Sequence, residues 1–473
     1  MTNVPLPLAG GSMPSVPMSA QKLVNMYPRQ DPGGVSEVSV YPFPGLTTFY
    51  DSSDNTSGVI LGMQTFLGQL RIVRKATGAG GSTATFRTID GGGNETNHGA
   101  IDDTTRPVGM ANDGVNMRIA TNAAGSELYT FDGTTLSTLG SGPNDESVIT
   151  RLNNHFITDS DDNAFHVSDA GSTTFTSGES AEPESDPDHF TAPYAFDQWL
   201  WLFGENSIEP WVNTGVGTPP FERVNGGIIE GIGTLSKHGI THTPTALYFV
   251  DKSGVAYAIS GRQPQAISPP ALSRLFRTYS LDEITAFVIP WDGMQFVVFS
   301  FPEATWAYAE GVDWFELDNN GAWHGVHYAY AYGKHLVGDK TSMKIHELDR
   351  DAFTWAGTAI KRRRTLHTIG GEQFNEPRRR MEMSKLRLNV SSGTGLTTGQ
   401  GEFPKLMLRR SLDAGKTWGM EHWINTGTLG DFDTQIEWPH MAAGYQLTFD
   451  VAYTDPVSIA FHSAGVELRA AGD

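Results

Sequence analysis

The sequence predicts an all-β protein: a β-propeller of six or seven blades with a Pro-rich N-terminal arm and a C-terminal β-sandwich-like domain. The stretch WLWLFGENSIEPW, Trp199 to Trp211, is the first reason. Trp199 to Phe203 is an apolar run too short for an isolated core helix, Gly204, Glu205 and Asn206 break it, and Ser207 to Val212 form a second β-prone run. That pattern is a hairpin whose first strand is buried on both faces and whose second is half buried. A two-stranded piece is marginal alone, so it must stack against neighbours. The second reason is that such units recur about every 40 to 48 residues, the spacing of four-stranded blades whose two apolar faces are covered by radial stacking. The third is composition, with 53 Gly, 26 Pro and few long helical patterns. A set of packed β-sandwiches is the competing architecture.

Three regions follow in order. Residues 1–55 hold Pro5, Pro7, Pro14, Pro17, Pro28, Pro32, Pro42 and Pro44, too much Pro for a helix or a central strand, which predicts an extended arm. Its apolar islands, Leu23 to Pro28 and Tyr41 to Leu46, must dock on the chain's own body or on a neighbouring subunit. Residues 56–358 are the expected propeller. Its first unit has strands at Val59 to Met63, Gln69 to Arg74 and Thr85 to Ile89, with a break at Gly78 to Gly81. The second runs from Val108 to Phe131, the third from Val148 to Val167, and the fourth contains the Trp199 hairpin as a blade's inner strands. The fifth has Ala246 to Ile259, the sixth Gln295 to Tyr308 and the seventh His335 to Leu348. Pro270 to Thr278 is the best helix candidate. Residues 359–473 combine a basic segment with strands at Ser384 to Val390, Lys405 to Arg410, Tyr445 to Tyr453 and Val457 to Leu468. All eleven Trp fall between Trp199 and Trp438, so the best-packed blades are expected in the middle. The hairpin's aromatics then read as core, and Trp211, after Pro210, is the one left for an interface.

The formal charge is -20, with 33 basic against 53 acidic residues. That balance argues against a dedicated nucleic-acid coat and suits a soluble surface, or a wall that DNA must pass without sticking. Lys361, Arg362, Arg363, Arg364, Arg378, Arg379 and Arg380 form the one basic island, read as a protein interface or solvated face, or as a DNA contact. Cys is absent, which removes disulfides and thiolate metal sites. Neither a signal peptide nor a transmembrane helix is expected, since no apolar run approaches roughly 18 residues.

The sharpest motif is Ser411, Asp413, Gly415, Thr417 and Trp418, the full Ser-x-Asp-x-Gly-x-Thr-Trp pattern of the Asp-box. The carboxylate accepts from turn N–H groups, Gly permits the tight path and Trp packs beneath, so the reading is a structural turn. A degenerate echo runs from Asp169 to Phe175, with Val167 where the box wants Ser. Gly415-Lys416-Thr417 is no phosphate loop, because Arg410 occupies the position of its first Gly. Asp159, Asp161 and Asn163 open like a calcium loop, but Ala164 and Ala170 stand where Gly and Glu are required. The pairs His238 with His242 and His324 with His327 lack a helical setting and a third ligand. There is no G-x-S-x-G elbow. No catalytic residue, metal or cofactor is expected.

The N-terminal VNMYP island, followed by YPFPGLTTFY, resembles the opening of the packaged-DNA stabilisation proteins of short-tailed phages, also called tail hub, nozzle or tail accessory proteins. Further islands of resemblance are Ile149-Thr150-Arg151-Leu152, Pro187-Asp188-His189-Phe190, Gly231-Ile232-Gly233-Thr234 and Arg277-Thr278-Tyr279-Ser280. The resemblance implies a virion tail subunit, assembled in the host cytoplasm as a hexameric ring below the portal and adaptor rings. It implies closure of the tail channel with a needle or plug, contact with tail fibres or spikes, genomic DNA passing in the lumen and no membrane insertion. Two other classes compete: a non-enzymatic binding propeller, and a sialidase-like glycosidase. The glycosidase needs an Arg cluster and paired acid groups at the propeller mouth, whereas the Arg residues here cluster outside the blades.

Overall fold

In the computed structural model of the protein, residues 2–6, 22–30, 38–52, 57–77, 83–102, 104–123, 128–139, 143, 146–176, 179–183, 188–370 and 380–470 are described. Gly78 to Gly81, Pro187, Arg378 and Arg379 lie outside them. Seven sheets stand in succession around an axis. Their first strands are Gly58–Phe66, Gly109–Asn112, Ile149–Leu152, Phe190–Phe196, Thr241–His242, Thr285–Trp291 and Gly325–Ala331. Each leads into an antiparallel meander. First strands pack on one another from blade one to blade four and from blade five through seven back to blade one. Trp201 and Phe203 of blade four pack with Leu247 and Phe249 of blade five to complete the ring. The blade count is therefore seven. The predicted helix is one short segment, Pro270–Phe276, with Pro at its start.

The Trp199 hairpin supplies the second and third strands of blade four, Trp199–Gly204 and Ser207–Asn213. Its turn is held by residues distant in sequence. Asp188 accepts from the Asn206 N–H at 2.6 Å and from the Ser207 hydroxyl. Thr234 donates its N–H to the Gly204 carbonyl at 2.9 Å and its hydroxyl to the Val250 carbonyl of blade five. Gly233 lies so close to the Gly204 and Glu205 backbone that a Cβ there would collide with it. The islands around Asp188 and Gly233 thus meet at one turn, and both exist to seat this hairpin.

Blade seven contributes only three strands of its own, and the N-terminal strand Gly45–Tyr50 adds the fourth, pairing Ile345 with Tyr50 and Leu348 with Leu46. Gly45 donates to the Ala352 carbonyl at 2.9 Å, an approach that leaves no room for a side chain. Tyr50 hydrogen-bonds Glu95 of blade one, and Arg74 reaches the Tyr50 hydroxyl at 3.1 Å. The added strand is in this way fastened to both sides of the closure.

Blade six does not end at its fourth strand, Asp313–Leu317. Leu23–Val24 pairs parallel to it and antiparallel to Arg362–Thr365, and Gln446–Tyr453, Lys405–Ser411 and His422–Asn425 extend the same sheet. A second sheet, running Met26–Gln30, Val38–Pro42, Phe461–Ala470, Met381–Val390 and Ile436–Gly444, faces it. Pro28 sits on the terminal strand, where a missing N–H donor is tolerated. One apolar core joins both sheets to blades six and seven. Phe43 lies at its centre, with Phe296, Phe315, Trp323 and Trp355 rings at 5.8 to 6.3 Å. The two apolar islands of the N-terminal region therefore dock on the chain's own body.

Asn25 is the pivot of this seam. It takes the left-handed conformation, φ 54, which Asn tolerates better than most residues. Only 1% exposed, it donates to the Asp318 and Lys361 carbonyls at 2.8 and 3.0 Å and accepts from the Asp318 N–H at 2.9 Å. Asn25→Ala is expected to lower the unfolding free energy by about 3 kcal/mol in urea titration, since each buried polar group left unpaired costs ~1–3 kcal/mol. An unchanged midpoint would contradict the pivot role.

Candidate functional site

The Asp-box residues close a turn after strand Lys405–Ser411, in the sandwich and away from the propeller axis. Ser411, 1% exposed, accepts from the Gly415 N–H at 2.8 Å and donates to Asp413 at 2.6 Å. Asp413 in turn accepts from the Thr417 N–H at 2.8 Å and its hydroxyl at 2.6 Å. The Ser411 and Thr417 bonds hold the Asp413 carboxyl far below the usual carboxylate range. Gly415 has φ 85, as the tight path requires. Trp418 is half buried, with the Arg409 guanidinium 5.5 Å over its ring. The geometry is that of a turn lock, in which the Ser411, Asp413 and Thr417 side chains bond within the motif.

The basic island divides. Arg362, on strand Arg362–Thr365, is fully buried and donates to the Phe43 and Phe353 carbonyls at 3.2 and 3.4 Å. Its guanidinium also lies 5.6 Å from the Tyr453 ring, a cation–π arrangement. Arg364 is buried too, and burial pulls its pKa down to about 10. Arg363 and Arg409 share Asp450, at 2.6 and 2.8 Å, beneath the sheet surface. Lys361 and Arg380 are exposed. A contact surface read from this run is thus narrowed, among the described residues, to Lys361 and Arg380. Strand alternation is the reason: period-two geometry turns alternate members of Arg362-Arg363-Arg364 inward, and the core accepts Arg362 because carbonyls and a ring receive its guanidinium.

The acidic surplus also has a structural part. Asp90, Asp113, Asp132, Asp251 and Asp339 each accept backbone N–H groups within turns between strands. Asp159 is buried and takes the Ser147 and Val148 N–H groups at 2.8 Å together with Lys237 Nζ at 2.8 Å. The four histidines do not form the pairs that spacing offers. His242 bonds the Tyr194 hydroxyl, His324 bonds Asn319, and His238 and His327 are pushed by burial to about 3 and about 4. Both are neutral at physiological pH.

One feature was not legible in the sequence. Of the thirteen large hydrophobic side chains exposed among the described residues, eight belong to the sandwich: Leu396, Phe403, Leu412, Met420, Trp423, Leu429, Phe432 and Tyr445. Met420 is 84% exposed, Phe432 75% and Trp423 60%. Trp423 lies on His422–Asn425, the strand that ends the ten-stranded sheet and leaves its outer edge unpaired among the described strands. Scattered apolar residues on a surface need no explanation, whereas a contiguous patch of them marks an interaction surface. Composition could not separate these residues from core residues of the same types.

A family model described as "Phage_stabilise: Bacteriophage P22 Gp10, beta-propeller" matches residues 4–353. Among solved structures, the chain is similar to the computationally designed Ika8 protein, at 11% identity over 70% of this chain and 99% of that one, with a TM-score of 0.40. It is similar to the N-terminal domain of Nup159 at 11% identity, over 70% and 99%, with a TM-score of 0.42. The WD40 propeller domain of Doa1 aligns at 8% identity over 64% and 97%, with a TM-score of 0.40. No curated protein matches the sequence.

Asp339 supplies the pH test of the turn chemistry. Burial raises its pKa, but bonds from His346, Ser342 and Thr341 outweigh it and bring the value from 3.8 to about 2. A depressed carboxylate contributes stability above its unfolded pKa and loses it as pH falls through the folded one. Asp339→Asn is therefore expected to lower Tm at pH 7 and to flatten the loss of stability between about pH 4 and pH 2. Parallel melting profiles of the two proteins across that window would contradict this.

Proposed function

The chain belongs to the family of the bacteriophage P22 Gp10 β-propeller, and on that premise we propose that it is a structural virion protein forming the hub or nozzle ring of a short phage tail. It acts without catalysis. Six copies assemble in the host cytoplasm below the head-to-tail adaptor ring, close the channel with a needle or plug to retain packaged DNA, and carry the fibres or spikes.

The observation that supports this reading best is the concentration of exposed apolar side chains on the sandwich. A stable monomer seldom displays such a set, and assembly would cover it. The electrostatics agree with it. At -20 the chain repels phosphate overall, and most cations of the one basic strand are committed to carbonyls, rings or Asp450. A lumen walled by such subunits lets DNA slide, because attraction would hold it. Lys361, Arg380 and the neighbouring Arg378 and Arg379 remain the side chains through which this subunit would touch a carboxylate of a partner or a passing phosphate.

The test is assembly. Met420→Asp with Trp423→Asp changes two exposed residues, so the isolated chain should melt within about 1 °C of wild type, as surface substitutions do. By electron microscopy, wild type mixed with its adaptor ring should form six-fold rings and the variant should not. Rings of the variant equal in number to wild type would remove the sandwich from the interface.

A further inference from the structure

Trp211, on the third strand of blade four, is left half exposed by the core. It lines a cleft of about 590 Å3 between the outer parts of blades three and four, with Asp162, Ala164, Ser180, Ala181, Glu182 and Arg223. The indole is fixed from two sides. Its Nε1 donates to Glu209, a buried residue, at 3.0 Å, and Phe165 of blade three meets it edge-on at 5.2 Å and 76°. Arg223 is the cross-strand partner of Trp211 and so stands on the same face. Asp162 is oriented by His166 at 3.0 Å and by the Ala164 N–H at 3.1 Å. Asp162, Glu182 and Arg223 are all exposed.

The chemistry of this cleft selects among ligands. Two carboxylates against one guanidinium disfavour a phosphate or any other polyanion. Among the described residues, the apolar lining besides Trp211 is two alanines, which gives an apolar peptide no pocket to fill. A sugar ring matches what remains. Its C–H face stacks on an immobilised indole, its neighbouring hydroxyls donate to the two oxygens of a carboxylate, and a guanidinium donates to its ring or hydroxyl oxygens. The volume lies within the ~300–1,000 Å3 of small-molecule sites, room for more than one ring. The cleft lies on the outer part of the propeller, and the exposed sandwich residues that assembly would cover belong to the other domain.

We propose that the cleft between blades three and four binds an uncharged saccharide chain, with one ring stacked on Trp211 and its hydroxyls held by Asp162, Glu182 and Arg223. All of the described lining comes from one chain, so the isolated full-length chain suffices to test the proposal. Saturation-transfer-difference NMR with maltotriose, cellotriose, chitotriose and mannotriose is expected to show saturable binding of at least one, with Kd of about 1 mM. Trp211→Ala should weaken that binding at least about tenfold, and Trp211→Phe should recover part of it. Glu182→Gln and Arg223→Ala, at exposed positions, provide the same test if Trp211→Ala disturbs packing against Phe165, and each should weaken binding. No saturable binding of any of the four sugars, or binding unaltered in Glu182→Gln and Arg223→Ala, would overturn the proposal.

Discussion

The structure depends on the insertion of residues 22–30 and 38–50 between elements that lie about 300 residues later in the chain. Three contacts do the joining. Leu23–Val24 bridges blade six to the sandwich, Asn25 bonds backbone on both, and Gly45–Tyr50 becomes the fourth strand of blade seven. A propeller keeps its edges short and protected only if each blade is completed, and an unpaired strand edge leaves a row of unsatisfied donors and acceptors. Here completion comes from the opposite terminus, so ring closure requires loss of chain entropy over a long loop. The burial of Phe43 among four aromatic rings and the acceptance of Arg362 by the Phe43 carbonyl offset part of that cost.

The same insertion makes the propeller and sandwich one continuous body. Blade six and the sandwich share a ten-stranded sheet, and blades six and seven share an apolar core with it. A continuous sheet transmits load between the two domains through backbone hydrogen bonds instead of through a linker. The buried cations follow from this arrangement. Arg362 and Arg364 lie on the bridging strand, where the sandwich and the inserted segment close over them.

Much of the blade pattern was legible because local chemistry dictates it. Alternating apolar runs, Asp and Gly at turns, and the spacing of units located the first or second strand of each of the seven blades to within a few residues, and the Trp199 hairpin was found with its turn. What the sequence concealed was long-range. Nothing local to YPFPGL says that it completes a blade, and the Pro content of the region pointed only to the absence of central strands. The partners of Asp188 and Gly233 were likewise invisible, although their motifs were seen as islands. For the site residues, the Asp-box turn could be drawn from its types alone. The inward turn of Arg362 and Arg364, and the outward turn of Trp423, could not, because side-chain burial in a strand depends on which sheet face meets a second layer.

The central claim is that the N-terminal strand is an integral part of the ring. Native-state hydrogen exchange at the amides of Gly45–Tyr50 tests it most directly, because each amide reports the free energy of the opening that exposes it. The account predicts that amides of this strand bonded to Ile345–Asp349 exchange only through the opening that also releases blade seven, with matching free energies and matching dependence on denaturant. Exchange of the N-terminal strand at markedly lower free energy, with blade seven still protected, would show a detachable tail and contradict the account.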